Sequence, residues 1–279
     1  MVCYKTRGTR VKKKPKNFRR MRCVLNKFFA GACLLFFVLA GFGAAFAADD
    51  FTGFYVGANI GGNLGEARVD TNPSFSPVGY FAATSTPAIA AASNQKMSPD
   101  SFMAGGVAGY NHQWDNFVAG IETDFGRMSW NQTTTATATY PCCAPTAFTV
   151  TQSMSTSWLV TIRPRLGVVF GKMMVYETGG LALTNVQYSG LFTDTFAAAH
   201  ESASSDKNRA GWMAGGGGEY RLTHHWSVKG EYLYGGVGAS ILSNNLTAFT
   251  PPIAFSSNVF DHTVKLKPQV ARAGVNFRF

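Results

Sequence analysis

The chain has 279 residues and a formal net charge of +10, from 25 basic and 15 acidic side chains. Residues 1–47 hold eleven Lys and Arg and no acidic residue, so residues 48–279 carry 14 basic against 15 acidic side chains. A nucleic-acid-binding protein needs its basic patch on the folded domain. The charge distribution therefore excludes that class of protein, and we expect no nucleic-acid partner.

The first 47 residues have the pattern of a secretory signal peptide. A basic stretch from Lys5 to Lys27 is followed by an apolar stretch from Phe28 to Phe46. The small-residue pattern Ala45-Phe46-Ala47 then supplies a cleavage site. We predict cleavage between Ala47 and Ala48, which leaves residues 48–279 as the mature domain.

Two features of this leader leave alternatives open. The basic stretch is unusually long, and Met21 would start a leader of ordinary length. The apolar stretch of about 19 residues would also suffice for a retained transmembrane helix, although its cleavage pattern favours removal. Cleavage would leave only Cys142 and Cys143, adjacent residues that cannot form a disulfide framework. We expect free thiols there, with a vicinal disulfide or an intermolecular cross-link as alternatives.

The mature domain contains no apolar stretch of the ~18 residues that a membrane helix requires. It shows instead eight segments, rich in Gly and aromatic residues, that alternate with period two, which is typical of β-strands. The predicted strands are 52–65, 101–114, 117–130, 155–170, 173–189, 209–222, 226–240 and 262–279. The sequence therefore predicts an all-β domain.

Short and long connections alternate between these strands. Three connections, 115–116, 171–172 and 223–225, have the length of hairpin turns. The other four are much longer than is usual in compact domains and are rich in Ser, Thr, Ala, Asn and Pro. Short turns at one end and long loops at the other are typical of an outer-membrane barrel. We predict an eight-stranded antiparallel up-and-down transmembrane β-barrel, with loops extracellular and with turns and both termini periplasmic.

Charged and apolar residues occupy opposite faces of the predicted strands. In 155–170, for example, Ile162 and Leu166 share one face while Arg163 and Arg165 share the other. In a membrane barrel the apolar face contacts lipid, so the charged face points inward. The predicted inward charges are Glu122, Asp124, Arg163, Arg165, Glu177, Glu219, Arg221, Lys229, Glu231, Arg272 and Arg278. Six cations against five anions are nearly balanced, as a confined space requires, because an unpaired buried charge costs several kcal/mol.

The strand number bears on whether the barrel is open. Eight strands enclose a volume that side chains fill, whereas water-filled pores have about 16–18 strands. We therefore predict a lumen filled by a charge network.

Pro164 and Pro268 lie inside predicted strands, and we expect local bulges there because proline removes a ladder donor. The aromatic residues expected to form interfacial girdles are Tyr55, Trp114, Trp130, Trp158, Trp226 and Tyr232.

Several blocks of the sequence resemble the RopB-type small outer-membrane β-barrel proteins of alphaproteobacteria. In chain order these are "FTGFYVGANIGG", "GVAGYNHQWDNFVAGIETDFG", "WLVTIRPRLG", "YETGGLAL", "EYLY" and "ARAGVNFRF". The resemblance covers nearly all of 51–279 except the loops. It implies a Sec-exported surface protein that contacts outer-membrane lipid and lipopolysaccharide. It also implies that the terminal Phe279 is an assembly signal for the barrel assembly machinery.

Patterns typical of catalysis or metal binding are missing from the sequence. It has no HExxH, CxxC or nucleophile-elbow motif. His224 and His225 share a short turn, and His200 could ligate haem iron from a loop, but neither position has a supporting partner. We assign no catalytic, cofactor-binding or metal-binding residue, expect no cofactor, and expect that the protein is not an enzyme.

Members of the resembled family are variously described as structural, porin-like or haemin-binding. The hypothesis that the residues favour is a structural and surface role in the cell envelope. A passive diffusion channel is one alternative. A surface-loop binding protein, for haemin or for a host or phage surface, is another. The loops 66–100 and 131–154 are longer than the resemblance requires, so no ligand is carried over, and the sequence does not indicate an oligomeric state.

Overall fold

The computed structural model describes residues 50–98 and 101–279. The predicted signal peptide, with its cleavage site between Ala47 and Ala48 and the alternative start at Met21, lies outside these residues and stays a prediction. The described elements are β1 (Gly53–Asn63), β2 (Glu66–Pro73), α1 (Ser85–Ser93), β3 (Gln95–Met97), β4 (Ser101–Trp114), β5 (Phe117–Thr139), β6 (Ala147–Phe170), β7 (Met173–Asp194), β8 (His200–Arg221), β9 (Trp226–Ser243), β10 (Thr247–Ala248), β11 (Ile253–Ala254), β12 (Phe260–Lys267) and β13 (Gln269–Arg278).

Eight strands pair in an antiparallel ring. From β4 to β9 each strand pairs with the next along the chain, and β9 then pairs with β13. The ring closes because β1 pairs with both β13 and β4. The predicted eight-stranded up-and-down barrel is confirmed. The predicted short connections are also found, at 115–116, 171–172 and 222–225.

The two faces of the wall differ as the period-two pattern predicts. On β6, Arg163 and Arg165 are buried, whereas Ile162 is 45% exposed and Leu166 is 62% exposed. Exposed Phe, Leu, Ile and Trp side chains recur on the same outer face of the other ring strands. In the part of the chain that the structure describes, no helix has the length and apolar character needed to cross a membrane.

Two hairpins extend further than the sequence predicts. Residues 131–154 and 190–208, interpreted as loops, belong largely to the β5–β6 and β7–β8 hairpins, and that prediction is wrong. The alternation continues there with small polar residues, which pair across the strands. Hydroxyl pairs join Thr135 to Thr151 at 3.1 Å and Thr137 to Thr149 at 2.9 Å. Such β-branched cross-strand pairs stabilise the outer face of this hairpin, while Phe148, Val150 and Met154 are buried on its inner face.

The predicted loop 66–100 is also partly ordered as secondary structure. It contains β2, the helix α1 and β3, and β2 pairs with β12 on one side and β3 on the other. The Ala-rich sequence of α1 suits a helix, and Ile89 on this helix is fully buried. The segment therefore folds back against the long-loop end of the barrel rather than extending from it.

Neither proline produces the bulge that the sequence predicts. The register of β6 against β7 is the same on both sides of Pro164, where pairing lapses for two residues. Pro268 separates β12 from β13 without a register shift. The Oδ1 atom of Asn63 accepts hydrogen bonds from the Gly65 and Gln269 amides and covers this gap. The register shifts occur instead between Arg127 and Trp130 and between Ser155 and Leu159.

Side chains fill the described interior in successive layers. An apolar cluster at the short-turn end includes Phe51, Met174 and Tyr176. A larger apolar cluster further along includes Met103, Trp130 and others from β2 to β13. An aromatic cluster, formed with α1 and the hairpin tips, occupies the long-loop end. On β6, for example, Arg163 and Arg165 lie between Val169 of the first cluster and Leu159 of the second.

Candidate functional site: the ion-pair network of the barrel interior

Ten of the eleven predicted inward charges are buried in the barrel. They are Glu122, Asp124, Arg163, Arg165, Glu219, Arg221, Lys229, Glu231, Arg272 and Arg278, each at most 8% exposed. Glu177 differs, and its inward assignment is wrong. It pairs across the ladder with Leu166, which is 62% exposed, so both side chains lie on the outer face. The inward position next to it is occupied by Tyr176.

Arg163 and Arg272 bind the same two carboxylates from opposite walls. Arg163 Nη1 lies 3.0 Å from Glu231 Oε1, and its Nη2 lies 2.8 Å from Asp124 Oδ2. Arg272 Nη2 lies 2.6 Å from Glu231 Oε2 and 2.9 Å from Asp124 Oδ2. Thr161 also donates to Asp124 at 2.6 Å. Each carboxylate is therefore shared by two guanidinium groups, which hold it by charge-assisted hydrogen bonds.

Glu122 is the centre of a second group of contacts. Lys229 Nζ lies 2.9 Å and 2.8 Å from its two carboxylate oxygens. Arg163 Nη2 lies 3.0 Å from Oε1, and the Tyr55 hydroxyl donates to Oε2 at 2.8 Å. Arg165 donates to the Tyr55 hydroxyl at 2.9 Å, which links this group to the next.

Arg165 connects the network to the short-turn end. Its Nη2 lies 3.0 Å from Glu219 Oε2, and its Cζ lies 3.9 Å from the centroid of the Tyr176 ring. Arg278 Nη2 lies 3.5 Å from Glu219 Oε1. The guanidinium groups of Arg221 and Arg278 then lie over the Phe51 ring, 5.6 Å and 5.0 Å from its centroid. These contacts close the short-turn end around a buried aromatic ring.

Without Arg278, which binds Glu219 from the short-turn end, the central network has equal numbers of cations and anions. Four cations, from Arg163, Arg165, Lys229 and Arg272, contact four anions, from Glu122, Asp124, Glu219 and Glu231. Such a cluster offsets the cost of burying charge only when its members are paired and hydrogen-bonded. Because these groups bridge opposite walls, the arrangement is suited to holding the barrel closed.

The predicted aromatic girdle is only partly found. Trp114 and Trp226 lie on the outer face and are 56% and 48% exposed. Tyr55 and Trp130 are each 1% exposed and point into the barrel, so their girdle assignment is wrong. The physical reason for Tyr55 is its hydroxyl, which binds Glu122 in the network.

A polar cluster around His262 was not predicted from the sequence. His262 is buried, and its Nδ1 lies 2.8 Å from Thr71 Oγ1 and 2.9 Å from the Tyr188 hydroxyl. Its Nε2 lies 3.4 Å from Glu201 Oε1. The ring joins strands that are far apart in the sequence. By contrast, His200, His224 and His225 are exposed, and the described residues include no group of three or more metal-binding side chains.

The two remaining sequence features lie at opposite ends of the barrel. Cys142 and Cys143 form a disulfide with each other in the β5–β6 tip, so the expectation of free thiols is wrong. Phe279 follows β13 at the short-turn end, where its amide donates to the Phe54 carbonyl at 3.1 Å. Its side chain is 75% exposed.

The chain is similar to known outer-membrane proteins. A family model described as the outer membrane protein beta-barrel domain matches residues 33–279. The 31 kDa outer-membrane immunogenic protein of Brucella melitensis is 36% identical over 64% of this chain and 66% of that protein. The 25 kDa outer-membrane immunogenic protein of Brucella abortus is 30% identical over 50% of this chain and 53% of its own length. The matched region therefore covers just under two thirds of the length of the 31 kDa protein and about half of the length of the 25 kDa protein.

One solved structure also aligns with most of the chain. The outer membrane protein OprG of Pseudomonas aeruginosa superimposes with a TM-score of 0.44 and 9% identity, over 82% of this chain and 96% of that one. The family match confirms the resemblance to small alphaproteobacterial outer-membrane barrels and places the protein in the outer membrane. With its ring of eight strands, the chain belongs to the outer membrane protein β-barrel domain family.

Proposed function

We propose that this protein is a structural and surface component of the outer membrane rather than an enzyme or a diffusion channel. Its long loops face the outside, and its short turns and both termini face the periplasm. Its outer belt contacts membrane lipid and, in the outer leaflet, lipopolysaccharide. The exposed Phe, Leu, Ile and Trp side chains on the outer face of the strands support the contact with lipid.

The filled interior is the observation that carries this proposal. The four central cations and four central anions bridge the walls, and apolar clusters occupy the space on both sides of them. A solute would have to break several buried ion pairs to pass. The arrangement therefore favours a closed, stable wall element over the porin alternative.

The C-terminus supports a further part of the proposal, recognition by the barrel assembly machinery. Phe279 is exposed beyond the end of the closing strand, and its ring contacts that of Phe277 at 5.4 Å between centroids. An aromatic side chain presented there is accessible to a binding partner while β13 is being paired.

The orientation can be tested with single cysteines in intact cells. Val78 is 82% exposed at the long-loop end, and Lys172 is exposed in a short turn at the other end. A membrane-impermeant maleimide should label Val78→Cys in intact cells and should label Lys172→Cys only after the outer membrane is opened. The native Cys142–Cys143 disulfide leaves the unmodified barrel as an unlabelled control.

The opposite labelling pattern would contradict the proposed orientation. Equal labelling of both variants in intact cells, with the outer membrane shown to be sealed, would contradict the placement of the short turns in the periplasm.

A further inference from the structure

A cavity of about 200 Å³ opens at the long-loop end of the barrel. Its walls include the rings of Tyr80, Phe81, Tyr140 and Phe196, and the Cys142–Cys143 disulfide. The first two rings lie at 76° to each other, and the Tyr80 and Phe196 rings at 57°. The rings therefore form walls around a space rather than a parallel stack.

One carboxylate fixes two of these rings. The Tyr80 and Tyr140 hydroxyls both donate to Asp194 Oδ2, at 2.5 Å and 3.0 Å. Asp194 Oδ1 accepts the amides of Ala197 and Ala199 at 3.3 Å and 2.9 Å. Burial and the neighbouring Asp194 raise the pKa of both phenols above the ordinary value, so both stay protonated and keep donating. The pocket is therefore pre-organised, which lowers the cost of binding.

Among the described residues, no cationic side chain balances the charge of Asp194. It forms no ion pair with any Lys, Arg or His in residues 50–98 and 101–279, in contrast to the carboxylates of the barrel interior. This carboxylate lies at the hydroxyl ends of the Tyr80 and Tyr140 rings, so it adds negative charge next to the cavity that these rings line. The negative faces of aromatic rings add to this potential.

We infer that this pocket binds the quaternary ammonium group of a small organic cation, of the choline type. Aromatic walls with a nearby negative charge attract such a group, which has a large apolar surface and no hydrogen to donate. A sugar would suit the pocket less well, because its hydroxyls need partners and the two tyrosine hydroxyls already bind Asp194. A neutral apolar ring would use the walls but not the charge.

The same ammonium group occurs in free choline and in a phosphocholine headgroup. Both present it to the pocket in the same way, so the site is assigned to their shared chemistry. A comparison of choline with phosphocholine, each titrated in solution, distinguishes the two sources. Tighter binding of phosphocholine points to a headgroup, and tighter binding of choline points to the free cation.

The decisive comparison is between choline and its neutral carbon isostere, 3,3-dimethylbutan-1-ol. The protein is purified in a sugar-headgroup detergent, since choline-type detergents would compete. Calorimetric titration should show binding of tetramethylammonium and choline, with the isostere at least ~10-fold weaker, a ratio within the range of desolvated cation–π contacts.

Two variants locate the site, and one serves as a matched control. Phe196→Ala removes a wall residue that is 58% exposed and should weaken tetramethylammonium binding about 5-fold or more. Asp194→Asn removes the charge while keeping an acceptor for the tyrosines and should weaken it similarly. Phe75→Ala alters a residue that is 50% exposed but does not line the pocket, and should leave binding unchanged.

The inference is independent of the structural role proposed above. A failure of the binding experiment would therefore leave that structural role unaffected. Equal binding of the neutral isostere, unchanged binding in Phe196→Ala, or no heat of binding with tetramethylammonium would each overturn it. Tighter binding of glucose than of choline would also overturn it. Because Phe196 is exposed, loss of folding is not expected in that variant, and its band shift on heating in a gel checks this.

Discussion

Arg163 illustrates how one guanidinium holds the interior of the barrel. It is fully buried and contacts three carboxylates, those of Glu122, Asp124 and Glu231. Its Nε atom donates to Thr161 at 2.9 Å, so the side chain is fixed along its length. Removing it would leave three carboxylates with fewer partners in a space that water enters poorly.

We predict that Arg163→Ala destabilises the barrel by about 3–5 kcal/mol, because it breaks a buried charge network by removing one partner. The free energy of unfolding in urea, followed by tryptophan fluorescence in lipid vesicles, measures this effect. Lys172→Ala, in an exposed turn, is the control and should change the value by no more than about 0.5 kcal/mol. A similar small change for Arg163→Ala would mean that the network contributes little.

Some inward residues could be predicted from the sequence and others could not. Arg163 and Arg165 alternate with Ile162 and Leu166, so period two alone assigns their faces. The prediction for Glu177 is wrong because a charged side chain can also lie on the outer face of the wall, as it does here opposite the exposed Leu166. In the structure, the neighbouring Tyr176 takes the inward position and stacks on Arg165.

The cluster around His262 depends on contacts that no local pattern contains. His262 meets Thr71, which is 191 positions away, and Tyr188, which is 74 positions away. Thr71 meets His262 because β2 pairs with β12, whereas Tyr188 lies on β7, which does not pair with β12, and meets the ring in the barrel interior. The period-two pattern of a sequence therefore does not predict which residues of distant strands come into contact when the sheet closes.

At the scale of the elements, glycines allow neighbouring strands to approach each other inside the barrel. An added Cβ at Gly215 on β8 would lie 2.0 Å from the Tyr232 carbonyl oxygen, which belongs to the backbone and cannot move aside easily. At Gly230 on β9, the same addition meets nothing within 4 Å. The two positions lie on adjacent strands, Gly215 on the inner face and Gly230 on the exposed outer face.

We predict that Gly215→Ala destabilises the barrel by about 1–3 kcal/mol through overpacking. Gly230→Ala should be neutral or stabilise it by up to about 1 kcal/mol, since alanine restricts the unfolded chain. Urea unfolding of both variants measures the difference. Equal effects of the two substitutions would contradict the close approach of β8 and β9.

Asn63 lies at the point where β1 is separated from β2 and, on the neighbouring strand, β12 is separated from β13. It is fully buried, and its Oδ1 accepts the Gly65 amide at 3.1 Å and the Gln269 amide at 3.0 Å. Asn63→Ala should cost about 1–3 kcal/mol, because buried donors lose their acceptor. Amide hydrogen exchange at Gly65 and Gln269 should become faster in the variant. Unchanged exchange at both amides would show that another group satisfies them.

The lengths of the strands could be predicted only within the apolar belt. Outside it, the β5–β6 hairpin continues through Thr135 and Thr151, where Thr pairs replace apolar residues on the outer face while Phe148 and Val150 keep the inner face apolar. Thr and Ser are also common in loops, so composition alone does not separate the two structures. The turns at 115–116 and 171–172 were predictable because the alternation stops and restarts within two residues.

At the scale of the whole molecule, closure of the ring makes the barrel resistant to denaturation. Each ring strand pairs with two neighbours, so the membrane-embedded backbone has no open edge. We predict that protein loaded without boiling migrates differently in a detergent gel from boiled protein. Identical migration under both conditions, for protein extracted from the outer membrane, would contradict a stable closed ring.

The most direct test of the filled interior is single-channel recording in planar lipid bilayers. The described residues place four paired cations and four paired anions across the lumen, with apolar clusters on both sides. Protein whose unboiled gel band shows that it is folded should give little or no steady conductance. Large, reproducible current steps from the same preparation would contradict the account.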